Sequence, residues 1–496
     1  MSFTLQVLIF SSFPFILAIL VLKSYISSSS SSKNHKNLPP SPPKLPLIGN
    51  LHQLGSSPHR SLHAIAQNYG PVMLLRFGSV PVLIVSSVKA AREMIKTHDL
   101  AFASRPALSI PRKLFYELKD IGFAEYGEYW RQLKSITVLH LLSHKRVQSY
   151  RQVREEEMDL MMEKIQKANE SVVNLSGLLA SLTNNIICRV TLGKTYDGRR
   201  FKRLFARAGE LVGCFSVGSY IPSLRWVDRL SGIERKTNQV FKELDEFLDG
   251  VVDGHVTRKG DLATEYEDLV DILLDIQRDN RTGFQLNKRM IKATILDLLI
   301  GGTDTTSTSL EWAIAELLRH PQAMKKLQQE AREIGQGRSR IVEEDLEKMP
   351  YLKAVLKEAL RLHTPLPLLV PHESTQDVKL FGYDIPSGTQ VHINAWAIAR
   401  DPSKWEAPED FKPERFLSSS IDYKGLHYEL IPFGAGRRRC PGIQFSIIIN
   451  EIVLANLVYK FDLASMGEGS LDLSETNGIT VSKKYPIMVS ATPVNP

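Results

Sequence analysis

One stretch of this chain is uncharged and mostly apolar, and several others are apolar only at helical spacing. Residues 3–22, FTLQVLIFSSFPFILAILVL, carry no charge and match the ~20 residues a helix needs to cross ~30 Å of hydrocarbon. They are expected to form a membrane anchor. A cleaved signal peptide is the alternative, but no basic segment precedes the run, it is longer than a signal core, and no small-residue cleavage site follows. Lys23, Lys33 and Lys36 follow it while no Lys or Arg precedes it, so the positive-inside rule puts the amino terminus in the lumen and the rest of the chain in the cytosol. Sequons at Asn169, Asn174 and Asn280 would then stay unmodified.

Residues 23–46 read as a linker. The serine run Ser27 to Ser32 has nothing to bury. Pro39, Pro40, Pro42, Pro43 and Pro46 fix φ and favour a stiff strut, with Gly49 permitting the turn beyond it. From 47 to 496 no second linker and no internal repeat is visible, which predicts one large domain. PVMLLRFGSVPVLIVSS (71–87) has two apolar β-rich runs around Gly78-Ser79 and predicts a hairpin. Residues 151–170, 233–256, 284–318 and 346–362 carry apolar faces at helical spacing. The expected class is mainly α with small β-sheets (α+β). RQVREEEMDLMMEKIQKANE is read as a surface helix packed by its Met/Leu face, with no cofactor role.

Charge and cysteine usage narrow the function. Sixty-two Lys and Arg against 54 Asp and Glu give +8, without the long basic blocks of a nucleic-acid binder. A membrane surface or an acidic protein partner fits better. Cys188, Cys214 and Cys440 are odd in number and far apart, so neither a disulfide framework nor a cysteine metal pair is legible. That suits a reducing compartment.

Cys440 stands in FGAGRRRCPG, just before the helix-prone run IQFSIIINEIVLANLVYKF. A helix N-terminus and neighbouring arginines both favour a thiolate, and Gly434, Gly436 and Gly442 let the backbone turn or approach a flat ligand. Upstream, Gly301 and Gly302 open GGTDTT inside a long helical pattern, each at a cost of roughly 1 kcal/mol against alanine. Either an ordinary packing kink or a local widening of the helix would explain them.

FGAGRRRCPG matches F-x-x-G-x-R-x-C-x-G at Phe433, Gly436, Arg438, Cys440 and Gly442. Here the chain resembles the cytochrome P-450 superfamily of haem-thiolate monooxygenases, most of all the plant microsomal A-type enzymes of the seventy-one clan. The resemblance runs from the apolar anchor and proline segment to the cysteine loop, and it implies the P-450 fold and haem b (iron protoporphyrin IX). In that family the cysteine is the axial iron ligand, which here is Cys440. Arg438 would pair with a propionate, and Phe433, Gly301 and Gly302 would border the haem and its dioxygen pocket. Asp304 would relay protons from solvent, and the Thr305 hydroxyl would hold water beside the bound oxygen. Glu358 and Arg361 of KEALRL with Arg415 of FKPERF would form a buried structural triad.

Trp130 of YWRQLK fits the family's W-x-x-x-R, but position 134 is lysine. Lys134 keeps the charge and loses the bidentate fork, so a propionate contact and a surface lysine both remain open. His372 of VPHES stands where the family often offers Arg or His to the other propionate. Arg437 and Arg439 stay open between reductase docking and solvation.

No G-x-G-x-x-G stretch offers this chain a nicotinamide or flavin domain. NADPH electrons would come from a separate NADPH-cytochrome reductase at the endoplasmic reticulum membrane, to a monomeric enzyme that binds no nucleic acid. Ile300, Leu366, Leu369, Val370 and Ile479, with Thr303 and Thr480 as polar orienters, suggest a pocket for a lipophilic plant specialised metabolite. A terpenoid is the first expectation, a coumarin, other phenolic or alkaloid the alternative. A reductase-independent isomerase or dehydratase and a non-catalytic haem protein are the competing classes; Asp304-Thr305 argues against both.

Overall fold

The computed structural model describes residues 37–168, 171–196, 199–258, 267–279, 284–466 and 471–494. The expected anchor, the serine run and the sequons at Asn169 and Asn280 lie outside the described residues. From Asn37 onward the proline segment lies on the body: the Leu74 amide donates to Pro40 O at 3.0 Å, and Asn50 Nδ2 to Pro42 O at 3.3 Å.

The hairpin forms as β1 (Val72–Phe77) and β2 (Val80–Val85), paired antiparallel from Val72 with Val85 to Phe77 with Val80. Gly78 turns it at φ 60°, a conformation a side chain disfavours. Two later strands complete this sheet. β3 (His372–Glu373) runs antiparallel to β4 (Gln390–Ile393), and β4 runs parallel to β2. The spatial order is β1-β2-β4-β3.

Helices make up most of the remainder. Those that position the site are α1 (Glu128–Ile136), α2 (Arg151–Lys167), α3 (Leu175–Leu192), α4 (Arg199–Val212), α5 (Ile233–Arg258), α6 (Lys288–Arg319), α7 (Pro350–Leu362) and α8 (Ile443–Lys460). Two begin later than the apolar pattern predicts. α6 starts at Lys288 because the Asn287 side chain accepts the Met290 N–H and caps it. α7 starts at Pro350, a residue suited to a first turn, and a short 3₁₀ turn over Glu343–Lys348 precedes it.

α3 and α8 are long and apolar enough to cross a membrane, but most of each is buried inside the protein. They are core helices. α6 packs against α3, α7 and α8, so the axis of the core carries GGTDTT at its middle.

Candidate active site

Between α6 and the cysteine loop lies a cavity of about 280 Å³. Cys440, Phe433, Gly434 and Gly442 form one wall, and Gly301, Gly302 and Thr305 form another. The Cys440 thiol is accessible from this cavity. Its backbone N–H donates to Phe433 O at 3.0 Å, and its sulfur receives the Gly442 N–H at 3.4 Å, where α8 begins. Burial pushes the thiol pKa up, against that amide and the Lys134 ammonium. A metal bound there would displace the proton.

The loop's glycines have different tasks. Gly434 (φ 67°) has nothing within 4 Å of the place a Cβ would take and faces the cavity. Gly436 (φ 64°) is pressed against Ile95, whose Cγ2 would lie 2.6 Å from an added Cβ. It shapes the loop from behind and does not line the cavity.

α6 runs as a continuous α-helix through GGTDTT. Neither the kink nor the widening left open by the sequence interrupts it, and Gly301 itself provides room. An added Cβ on Gly302 would meet Ile187 Cδ1 at 2.7 Å, whereas one on Gly301 would meet nothing within 4 Å. Thr305 Oγ1 donates to Gly301 O at 2.7 Å and lines the cavity. Asp304 points elsewhere, toward α4, where a Cβ on Gly209 would sit 3.2 Å from its Oδ2. The residue is exposed, yet desolvation raises its carboxyl pKa.

The edge of the cavity collects cations. Arg438 donates through Nε to Ala103 O at 2.6 Å, through Nη1 to Ile121 O at 3.3 Å, and through Nη2 to Ala124 O, and it stacks 4.2 Å over the Trp130 ring. Trp130 gives its indole N–H to Ile121 O at 2.9 Å. His372 Nδ1 lies 2.8 Å from Phe102 O, and burial pushes its pKa well down. Lys134 Nζ donates to Arg439 O at 2.8 Å and is pushed down to about 8 by burial.

Arg105 was not anticipated; it binds Gly122, Val370 and Pro371 carbonyls and is buried beside Arg438. No spacing in FASRP marks it. Neither Arg105 nor Arg438 has a carboxylate in hydrogen-bond contact among the described residues. Two buried guanidinium groups that no carboxylate touches, with Asp120 acting on both only at longer range, beside a cavity with a free thiol, fit a flat ligand carrying two carboxylates and a metal.

Of the suggested substrate residues, Leu366, Leu369 and Val370 line the cavity; Ile300, Thr303, Ile479 and Thr480 do not. With 3.6 residues per turn, the face that presents Gly301 and Thr305 turns Ile300 into the core and lets Thr303 donate to Leu299 O. Arg437 is paired with Asp99 at 3.1 Å, and Arg439 donates to Lys424 O.

Comparison with known proteins agrees with this geometry. The family model described as Cytochrome P450 matches residues 39–491. The chain belongs to the cytochrome P450 family. Its relatives include Cytochrome P450 71A2 of Solanum melongena, 55% identical over 91% of this chain and 92% of that one. Cytochrome P450 71A26 of Arabidopsis thaliana is 53% identical over 91% and 92%. A 3-beta-hydroxylase of Tanacetum parthenium is 52% identical over 90% and 91%. A zebra fish cytochrome P450 solved with abiraterone superposes with a TM-score of 0.75 at 29% identity, covering 89% of this chain and 100% of that one. This P450 is therefore a haem-thiolate monooxygenase of the plant type, and its family draws NADPH electrons through a reductase.

Proposed function

We propose that this P450 oxidises a lipophilic plant specialised metabolite, with a terpenoid as the first substrate class and a coumarin, other phenolic or alkaloid as the next. One observation carries the reading: the Cys440 thiol and the Thr305 hydroxyl line the same cavity, whose remaining wall includes Leu366, Leu369 and Val370. The relative named a 3-beta-hydroxylase supports hydroxylation as the outcome.

Haem, when bound, would supply the activation of dioxygen, which is itself the oxidant. The chain does the rest. Cys440 is the thiolate ligand, held at the start of α8. Arg438 and Arg105, with Trp130, His372 and Lys134, would hold the carboxylate edge of the cofactor. Gly301 leaves open space in the cavity, and Thr305 Oγ1, hydrogen-bonded to Gly301 O, would hold a proton beside it. Asp304 takes protons from solvent on the outer face of α6. Leu366, Leu369 and Val370 make their part of the wall apolar and exclude water there.

The electrons come from NADPH-cytochrome reductase at the endoplasmic reticulum membrane, with residues 3–22 as a single anchor, the amino terminus lumenal and the catalytic domain cytosolic. The test is expression in microsomes that contain a plant reductase, scored by a carbon-monoxide difference spectrum and by NADPH-dependent consumption of a terpenoid panel. The expected result is a thiolate-type spectrum, absent in Cys440→Ser, and turnover that stops without reductase. Turnover that continues without reductase, or a normal spectrum in Cys440→Ser, would overturn the reading.

A further inference from the structure

The sequence leaves Arg437 open between reductase docking and solvation, and the structure gives it a third place. Arg437 stands in the short 3₁₀ turn Gly436–Arg438, three residues before Cys440. Its guanidinium Nε meets Asp99 Oδ2 at 3.1 Å, and its backbone N–H donates to Asp99 Oδ1 at 3.3 Å. One carboxylate therefore grips the residue by main chain and side chain together. Gly436 belongs to the same contact, because an added Cβ there would lie 2.7 Å from Asp99 Oδ1. Among the described residues no other carboxylate reaches the run Arg437 to Arg439.

Asp99 and the partner of Arg438 lie on one strip of chain. Arg438 Nε reaches Ala103 O, four residues beyond Asp99. The strip is tied to itself by the Phe102 N–H on His98 O at 3.2 Å and the Ala103 N–H on Leu100 O at 3.3 Å. Its next members serve the cavity edge: Phe102 O faces His372 Nδ1, and Arg105 lines the cavity with Arg438. Two consecutive arginines of the cysteine loop are thus fixed to two points of this strip. Neighbouring side chains of a 3₁₀ turn diverge by about 120°, so half-exposed Arg437 turns out to Asp99 while buried Arg438 turns in. Holding the first sets the rotation of the second. Lys134 Nζ holds the other side of the loop through Arg439 O at 2.8 Å.

We propose that Asp99 is a positioning residue for the cysteine ligand: by gripping Arg437 it fixes the rotation of the Gly436–Arg438 turn, and Arg437 is spent on this grip, not on docking the reductase. The proposal rests on the haem-thiolate reading and concerns how the ligand is held. A reductase carboxylate could take Arg437 only by displacing Asp99, which would leave a shielded carboxylate against Gly436 without its cation. Burial already pushes the Asp99 pKa up, against the Arg437 amide and guanidinium.

A half-exposed ion pair adds little to global stability, so the grip shows in ligation and not in unfolding. The readout is the rate at which the carbon-monoxide complex of the haem-loaded full chain passes from the thiolate-type to the thiol-type spectrum in mild urea. Asp99→Asn keeps an acceptor for the backbone N–H and removes the charge; it is expected to speed the change about fivefold, and Arg437→Gln by a similar factor. The double variant is to be no faster than either single one, because both residues act through one contact. Thermal unfolding midpoints stay near wild type.

Reductase titration separates the grip from docking. In both single variants the maximal rate of NADPH consumption is to fall, while the half-saturating reductase concentration stays within about twofold of wild type. Arg437→Lys keeps a charge for docking but loses Nε; it covers the case in which Arg437→Gln expresses poorly, and it too is expected to speed the spectral change. A half-saturating concentration that rises in Arg437→Gln alone, or a spectral change at the wild-type rate in Asp99→Asn, would overturn the inference and leave the monooxygenase intact. Wild-type protein without a thiolate-type spectrum would remove the reading of Cys440, and this inference with it.

Discussion

Two groups of buried arginines in this protein are built from the same side chain and do opposite things. Arg361 is fully buried and fully answered. Its Nε and Nη2 meet the Glu358 carboxylate at 2.7 and 2.9 Å, and its remaining donors reach the Ala399, Pro408 and Asp410 carbonyls. Arg415 adds a second cation to Glu358 at 3.0 Å, and the Lys412 amide donates to the same oxygen. Arg438 and Arg105 are as well hydrogen-bonded, but only to carbonyls, which satisfy donors without cancelling charge. Burial accordingly pushes the Arg438 pKa down to about 10. A charge neutralised inside the chain is scaffolding; a buried charge left over is an invitation to an anion.

That contrast can be broken first at its strongest point. Glu358→Ala strips the carboxylate from two cations, one of them wholly buried. Its expected cost is about 3 to 5 kcal/mol, read as loss of both soluble protein and the carbon-monoxide spectrum. A variant that folded and held haem normally would dissolve the distinction.

Arg438→Leu should separate what Glu358→Ala loses together. Haem per mole of protein is to fall several-fold while the yield of soluble protein stays near wild type, measured by pyridine haemochrome against total protein. Loss of solubility to the same degree would make Arg438 structural too.

The smallest effect sharpens an intermediate case, an acid whose arginine partner is half exposed. Glu475 accepts Arg60 at 2.7 and 3.1 Å and lies 3.2 Å from His59, and these partners outweigh burial to depress its pKa to about 2. A depressed carboxyl contributes stability above its unfolded pKa of about 4.5 and loses it as pH falls through the folded value. Thermal unfolding across pH 5 to 2 is expected to show a term on the order of 2 kcal/mol that Glu475→Gln abolishes. A variant with the wild-type pH profile would show that the pair contributes nothing.

Much of the site was legible before any coordinates. Cys440 with Arg438, and Glu358 with Arg361, are separated by two or three residues, so loop or helix geometry alone sets their relation. The hairpin at Gly78 and the helices over 233–256 and 284–318 followed from period and turn chemistry, with ends shifted where Asn287 and Pro350 intervened. Arg105 could not be found in this way, because what makes it matter is 265 residues distant, the Val370 carbonyl. Ile300 and Thr303 were misplaced for the converse reason, since neighbours of a site in sequence lie about 100° apart around a helix.

Taken by itself, the sequence determined the family, the position of the candidate thiol and the helical scaffold, because each is written in residues close enough for local geometry to decide. The tertiary structure alone decided which charges are spent and which remain. Arg361 finds Glu358 three residues away, but nothing near Arg438 in its run of three arginines says that its guanidinium is buried among the Ala103, Ile121 and Ala124 carbonyls beside an open cavity. That difference depends on which distant segments pack against them, and burial makes it count, because a charge removed from water must find its partner either in the fold or in a ligand.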